Sequence, residues 1–410
     1  MTSALSRHTQ KIAAVGTALA AVLTAPPICA QSAAENSLTA GYDNGFFIKD
    51  ASGDNALYIN GLFQPRLNHF ETKDTAQFGA VDQSSNNFDI FLGRIYFSGN
   101  VMNKSITYFV TLQGTTTGNG SGVTLLDAVV AKAFSPYLKV EVGRYWSAYT
   151  YEYNDDIAKY LLPDLSAAEW AFSLGRQTGM RFSGKAGDLS YRLSVSNPIP
   201  GSDVGNTENL HSKLATILNL EYDILQPYGY QETNPSPAGV AKPELSLWAS
   251  AMYNPVDYSS VFQNNLAGDI TDGATGSLNF RYGYFTLQGS GYYKNTQARP
   301  GAHAAFSSHG WQEQAGYYLV PGKLEVVQRV DGVKWGLGQI PVTGGTSTQW
   351  YAGPANFSYR DLTEYTGGLN YYIGGHRVKT QLQYSHLSGA GFNNRSFSAD
   401  RVIFQAQLAF

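Results

Sequence analysis

The sequence predicts an all-β chain, a transmembrane antiparallel up-and-down β-barrel of 16 strands, and three observations predict it. The first is the C-terminus. Over residues 399–410, Phe410, Leu408, Ala406, Phe404 and Val402 fall on one face, while Gln407, Gln405 and Arg401 fall on the other. A period of two is that of a strand with one face in oil and one in water. At about 3.3 Å per residue and a tilt near 45°, twelve such residues rise roughly 28 Å, the thickness of a bilayer core. Phe404, Leu408 and the terminal Phe410 are therefore the candidate membrane-insertion signal. The second observation is composition: only 14 % charged residues, with 28 Tyr, 21 Phe and 43 Gly. Past the first thirty residues there is no apolar run long enough for a helical span. A barrel spreads its membrane signal over alternate residues. The third is that short and long connections alternate along the chain.

In order, Arg7, His8 and Lys11 precede an apolar run at 12–24, followed by Pro26, Pro27 and Ile28-Cys29-Ala30. This is the pattern of a secretory signal peptide over 1–30, cut after Ala30 or Ala34. Cys29 is the one cysteine, so the processed chain would hold no disulfide and no catalytic thiol. Residues 31–55 read as a short periplasmic N-terminal segment, too small for a lumen plug, with Asp50 and Asp54 around Gly53 marking a turn rather than a calcium site. Residues 56–410 form the barrel, with no second domain. The first thirty residues hold two basic and no acidic side chains against totals of 28 Lys+Arg and 31 Asp+Glu. The processed chain is then net negative by about five, which disfavours nucleic acid as a partner.

Alternation places strands at 56–70, 86–101, 104–114, 124–134, 137–146, 177–185, 188–197, 211–223, 244–254, 271–282, 284–294, 311–320, 322–331, 362–373, 376–387 and 399–410. In the first, Leu57, Ile59, Phe63 and Leu67 oppose Asn60, Gln64, Arg66 and Asn68; in the second, Phe91, Gly93, Ile95 and Phe97 oppose Leu92, Arg94, Tyr96 and Ser98. The apolar sets are expected to exclude charge, since a charge on the lipid face near mid-bilayer costs about 2–4 kcal/mol. Tight links such as Ser135-Pro136 and Gly374-Gly375 alternate with long ones, as in barrels with short periplasmic turns and long outer loops. The link 224–243, with Pro227, Pro235 and Pro237, is long where a short turn is expected; it is either a periplasmic excursion or a slip of the strand boundaries.

Several strings resemble the phosphate-selective porin O/P family of Gram-negative outer membranes. They are Phe91-Leu-Gly-Arg-Ile-Tyr-Phe-Ser-Gly99, Leu126-Asp-Ala128, Leu138-Lys-Val-Glu-Val-Gly-Arg144, Gly175-Arg-Gln-Thr-Gly-Met-Arg-Phe-Ser-Gly184, Gly310-Trp-Gln-Glu-Gln-Ala-Gly-Tyr-Tyr-Leu319, Lys323-Leu-Glu-Val-Val-Gln-Arg329 and Thr366-Gly-Gly-Leu-Asn-Tyr-Tyr372. They run in order over nearly all of the processed chain. The resemblance implies a homotrimer in the outer membrane, surrounded by its lipid, with the third long loop folded inward as a constriction. The function expected is passive diffusion of small hydrophilic solutes or ions through a water-filled barrel, without a cofactor.

That third loop, 147–176, carries Glu152, Asp155, Asp156, Asp164 and Glu169 against Lys159 and Arg176, among Tyr149, Tyr151, Tyr153, Tyr160, Trp170 and Phe172. Thirty residues are many for a connection without a role of its own. Arg66, Arg94, Arg181 and Arg192 fall on the polar faces of their strands. Carboxylates on the loop facing an arginine wall would set up a transverse field across the pore. The simpler reading is that the acids are solvated loop surface and the arginines pair with them to hold the loop down. A phosphate filter requires Arg and Lys donors, because selectivity follows the sign of the lining charge.

Glu325, Arg329 and Asp331 share one face with Lys323, as an ion-pair ladder or a polar inner wall, and Trp311, Trp335 and Trp350 read as interface anchors or sugar-stacking rings. Arg144 is left ambiguous at its strand end. Rival functions are a phosphate or polyphosphate channel, a surface-binding protein anchored by its barrel, and an outer-membrane hydrolase. The chain has no nucleophile elbow or zinc-binding His-Glu-x-x-His helix. His69 near Glu71 and Asp74 is the one Asp–His arrangement to weigh, and Gly118-Asn-Gly-Ser-Gly122 reads as an outer loop.

Overall fold

The computed structural model describes residues 37–74, 84–115, 122–198, 213–255, 270–298, 304–336, 360–390 and 396–410. The reading of residues 1–30 as a signal peptide, Trp350 and most of the glycine-rich run at 118–122 lie outside them. The barrel lies within the compact unit Thr39–Phe410. The segment read as a plain N-terminal lead contains two short strands, β1 (Leu38–Tyr42) and β2 (Phe46–Asp50). Asp50 and Asp54 do form a turn: Asp50 Oδ1 accepts the Asp54 N–H at 2.9 Å.

The wall comprises β3 (Ala56–Lys73), β4 (Ser84–Val101), β5 (Ile106–Thr115), β6 (Gly122–Ser135), β7 (Leu138–Trp146), β8 (Arg176–Ala186), β9 (Leu189–Ser196), β10 (Ala215–Asp223), β11 (Val240–Asn254), β12 (Thr271–Gly283), β13 (Phe285–Thr296), β14 (Phe306–Val320), β15 (Leu324–Lys334), β16 (Asp361–Tyr372), β17 (Val378–Ala390) and β18 (Ser396–Ala409). Each pairs antiparallel with the next, and β18 closes on β3. The 16 strands match the sequence reading, with ends moved by a few residues.

The seam shows why the C-terminus is patterned as it is. Ser398 lies opposite Lys73 and Ala409 opposite Leu62. Phe410 then exchanges two backbone hydrogen bonds with Gly61, at 2.8 and 3.0 Å. A Cβ on Gly61 would collide with the Phe410 ring. Where β18 ends, β2 takes over beside β3, with Phe46 opposite Ile59 and Lys49 opposite Ala56. The Phe46 and Phe410 rings meet edge to face at 6.2 Å.

The burial pattern is the reverse of a water-soluble sheet. On β17 and β18 the exposed residues include Leu382, Tyr384, Phe404 and Leu408, and the buried ones include Gln381, Gln383, Ser385, Arg401, Gln405 and Gln407. A contiguous apolar outer face of this extent requires a lipid or protein cover, and a closed barrel leaves no open strand edge within it. Tyr317, Tyr371 and Tyr282 mark one rim of the face, and Trp311, Tyr293, Tyr365 and Tyr384 lie nearer the other.

Several placements differ from simple alternation. A bulge between Gln64 and Pro65 in the β3–β4 pairing gives β4 one extra residue. Phe91, read as lipid-facing, is instead buried with Leu62 and Leu92, and its ring lies 3.3 Å from the Arg66 guanidinium. Glu313 breaks the expected exclusion of charge: it is exposed on β14 between the outward Trp311 and Ala315. Trp335 is no interface anchor, for it is buried and stacked on Phe172 at 5.4 Å. His376, read as the first residue of a strand, belongs to the turn 373–377.

The connections at one end of the barrel are 102–105, 136–137, 187–188, 284, 321–323 and 373–377. The link 224–239 leaves from the same end; β11 begins at Val240, four residues earlier than the sequence reading places it, and the link is still the long one at this end. Instead of extending away, it turns back against the wall. Thr233 donates to Glu325 at 2.6 Å, Arg281 donates to the carbonyl oxygens of Tyr228 and Gln231 at 2.8 Å each, and the His376 ring lies 2.9 Å from the Thr233 carbonyl.

Candidate functional site

The connection 147–175 between β7 and β8 is built from short local turns. Single 3-10 turns span Glu152–Asn154 and Ile157–Lys159, the second capped by the Asp156 carboxylate on the Ala158 N–H. A short helix, α1 (Ala167–Phe172), is capped by Ser166, whose hydroxyl accepts the Glu169 N–H at 2.9 Å. Asn154 donates to the carbonyl oxygens of Ser147 and Thr150, tying the first turn to the end of β7.

Side chains from eight strands hold this connection. Trp248 and Thr275 donate to the Tyr149 carbonyl at 3.2 and 2.6 Å. Tyr292 donates to Glu169 at 2.8 Å, and Asp331 accepts the Ala168 N–H at 3.1 Å. Arg329 donates to the carbonyl oxygens of Asp164 and Leu165 at 2.8 and 3.2 Å. Asn370 donates to the Leu161 carbonyl at 2.8 Å and Lys379 to that of Tyr160 at 2.9 Å. Arg401 meets Asp164 at 2.6 Å, and Arg66 donates to the Pro163 carbonyl. These partners lie on β3, β11–β13 and β15–β18. Buried backbone carbonyls demand such donors, and the polar face of the barrel supplies them.

The loop acids are consequently distributed in a way that charge counting could not reveal. Glu152, Asp155, Asp164 and Glu169 are 2, 5, 5 and 0 % exposed. They sit in the contact between connection and wall rather than at a solvent-facing edge. Glu152 lies 3.7 Å from Arg329, which also faces Asp331 at 3.6 Å and Glu364 at 3.9 Å. The face of Glu325, Arg329 and Asp331 thus carries an ion-pair cluster beneath the loop. Glu169 has no cation in ion-pair range among the described residues; it accepts the Tyr153 N–H at 2.9 Å and the Tyr292 hydroxyl. Burial, with the nearby Glu152 charge, pushes Glu169 up to about 8. Burial and the Glu232 charge hold Asp155 well above the carboxylate range. Only Asp156 and Lys159 keep substantial exposure, 44 and 35 % of their side chains, and they pair at 3.2 Å.

Of the four candidate arginines, Arg66 is a support for the loop, sealed by Gln405 at 2.5 Å and the Phe91 ring. Arg94, Arg181 and Arg192 remain partly exposed on β4, β8 and β9. Arg94 donates to Gln113 at 2.6 Å, with no carboxylate in ion-pair range among the described residues. Arg181 pairs with Glu141 at 2.6 Å and lies over the Tyr145 ring. Arg192 donates to Asn219 at 2.7 Å and to Glu221 at 3.2 Å, between the Tyr230 and Trp248 rings. Lys139 and Lys185 stand on the same stretch of wall, paired with Glu141 and Asp223. Tyr96, Phe109 and Trp146 form an aromatic row there, with ring centroids 6.2 and 6.1 Å apart. Arg144 folds against the Leu126 carbonyl at 2.9 Å.

Sequence reasoning missed Arg401, Glu364, Lys379, Asn370 and Glu232; all but Glu232 lie on alternate inward positions of predicted strands, which was the available signal. His69 hydrogen-bonds Asn86 on β4 at 3.0 Å rather than forming an Asp–His site. Among the described residues, no group of three or more His, Cys, Asp or Glu is arranged to hold a metal ion.

Neither a protein-family model nor a curated protein sequence matches the chain. Among solved structures it is similar to the outer membrane channel DcaP of Acinetobacter baumannii, at 12 % identity over 91 % of this chain and 100 % of that one, with a TM-score of 0.58. It is also similar to a loop-deleted OmpT, an outer membrane protein of Vibrio cholerae, at 10 % identity over 87 and 100 % of the two chains and a TM-score of 0.54. OprB of Pseudomonas putida matches at 8 % identity over 86 and 94 %, with a TM-score of 0.55. At such identities the likeness is one of fold, and the fold of this chain is the closed barrel found in Gram-negative outer-membrane channels.

Proposed function

We propose that the chain is an outer-membrane porin, passing small hydrophilic solutes or ions by diffusion through a water-filled barrel, without cofactor or energy coupling. The observation that carries this reading is the asymmetry of the polar inner face. The connection 147–175 is bonded to the wall mainly at β3, β11–β13 and β15–β18, while Arg94 and Tyr96 on β4, Arg181 on β8 and Arg192 on β9 stay partly exposed. A passage along β4–β9, narrowed by the loop edge with Asp156 and Lys159, is the natural path for a solute. The signal peptide, the outer-membrane address and a trimeric assembly belong to the same reading. A V. cholerae OmpT has been solved in a trimer form.

A second, finer reading concerns the solute. With Glu152, Asp155, Asp164 and Glu169 buried, the charges beside the passage among the described residues are Arg94, Arg181, Arg192, Lys139 and Lys185 against Glu141, Glu221 and Asp223, plus the Asp156–Lys159 pair. The surplus is basic, which favours anions. This supports the anion-channel side of the family resemblance over an acidic eyelet, while phosphate itself requires a direct test. Purified protein in a planar bilayer under a KCl gradient decides both points. Stepwise conductance with an anion-signed reversal potential supports the reading, and phosphate block would narrow it further. Absence of conductance would leave a barrel-anchored binding protein.

A further inference from the structure

The link 224–239 and the connection 147–175 leave the barrel wall at opposite ends, yet they touch. Glu232 makes the junction. Its Oε2 accepts the Leu161 N–H at 2.5 Å, and its Oε1 accepts from the Gln314 side chain of β14 at 3.1 Å. Glu232 is 1 % exposed and has no cation in ion-pair range among the described residues. Beside it the Tyr151 hydroxyl donates to the Gly229 carbonyl at 2.7 Å, and the Tyr151 ring packs edge-on against Tyr228 and Trp248. The link is in turn fixed by Arg281 and by the hydroxyl of Thr233 on Glu325. A load path therefore runs from β12 and β15 through the link to the loop.

Leu161 lies two residues past the turn Ile157–Lys159, whose flanking Asp156 and terminal Lys159 are the exposed charges of the loop. We propose that Glu232 is a positioning residue for the constriction, fixing from the periplasmic side the loop edge that borders the passage. The proposal rests on the porin reading above. It also accounts for the length of the link. A plain turn of one to five residues joins the other strand pairs at that end, and the hydrogen-bond partners of Leu161 are Glu232 of the link and Asn370 and Gln381 of the wall. Burying a carboxylate without a cation is costly unless its oxygens are occupied, and here the two occupants belong to the loop and to the wall.

The test uses full-length protein and two substitutions. Glu232→Ala removes both hydrogen bonds and leaves the Leu161 N–H without an acceptor. Glu232→Gln keeps one oxygen for it. Two readouts apply: open-channel noise with unitary conductance in planar bilayers, and tryptic cleavage after Lys159. Loss of a buried acceptor is expected to raise excursions of the loop edge about tenfold. Glu232→Ala should therefore show noisier, larger unitary currents and about tenfold faster cleavage after Lys159, with Glu232→Gln returning most of the way to wild type. Wild-type noise, conductance and cleavage in a Glu232→Ala barrel that inserts normally would overturn the proposal, as would Gln behaving like Ala. If the wild type fails to conduct, the porin reading falls, and the cleavage rates alone still decide the role of Glu232. Heat-modifiable mobility on gels shows whether each variant has formed its barrel.

Discussion

Arg401 on the last strand and Asp164 in the connection between β7 and β8 form an ion pair at 2.6 Å, with both side chains about 5 % exposed. The pair joins the seam strand to the loop across 237 residues of sequence. Removing one partner strands a buried charge, which costs about 3–5 kcal/mol. Asp164→Ala is therefore expected to lower the denaturant midpoint of the refolded barrel and to loosen the loop. Replacing both residues with apolar ones of similar volume, as in Arg401→Met with Asp164→Leu, should restore most of the lost stability. Urea titrations read by heat-modifiable mobility check both. A single variant as stable as wild type would show that water reaches this pair.

Glu169 makes the hold on the loop pH-dependent. Its ordinary carboxyl value is near 4.5, and burial beside Glu152 raises it to about 8 in the folded chain. A raised folded value means the neutral acid is the stabilising form. The contribution is complete below about 4.5 and disappears as pH rises through about 8. Glu232 is pushed the same way, to about 8, by burial and by Glu152. Tryptic cleavage after Lys159, corrected for the intrinsic pH profile of trypsin on an unfolded control, should accelerate as pH rises toward about 8 and level off above it. Glu169→Gln should flatten that rise. A rate independent of pH would mean that both carboxylates are ionised throughout.

The strands were legible because lipid imposes a rule that applies to each lipid-facing residue separately. Leu382, Tyr384, Phe404 and Leu408 must be apolar wherever the rest of the chain lies, so a period of two can be read locally. The lumen has no such rule. Glu152 and Asp156 are four residues apart and chemically alike, yet one is buried against Arg329 and the other lies at the loop edge. Their separation depends on Arg329, Tyr292 and Glu232, far away in sequence. Phe91 was misplaced by a single inserted residue, which reverses every side chain beyond it until the register is restored. Glu232 sits in a proline-containing link with no periodicity at all.

Charge reversal on the open wall should move ion selectivity, whereas neutralising a buried acid should not. A unit charge about 4 Å from an ion in water is worth about 1 kcal/mol, near a fivefold change in relative permeability. Arg94→Glu changes two units and should shift the reversal potential strongly toward cations. Glu152→Gln, at a site 2 % exposed, should leave it close to wild type. Both are measured under the same KCl gradient. Equal shifts from the two variants would place Glu152 in the conducting path.

The outer face supplies a depth-resolved test. Phe404 lies midway along β18, and Leu408 lies next to its end. An arginine costs about 2–4 kcal/mol at the bilayer midplane and about 0–1 near the interface. Phe404→Arg is thus expected to destabilise folding into lipid vesicles by the larger amount, and Leu408→Arg by the smaller. Glu313, exposed between Trp311 and the Tyr317 rim, predicts the opposite sign: Glu313→Leu should stabilise the monomeric barrel in lipid. Reversible folding titrations in vesicles measure all three. Should Glu313→Leu instead weaken the protein, the carboxylate must have a partner in the assembled membrane form, and the face formed by β13–β15 would be in contact with protein rather than lipid.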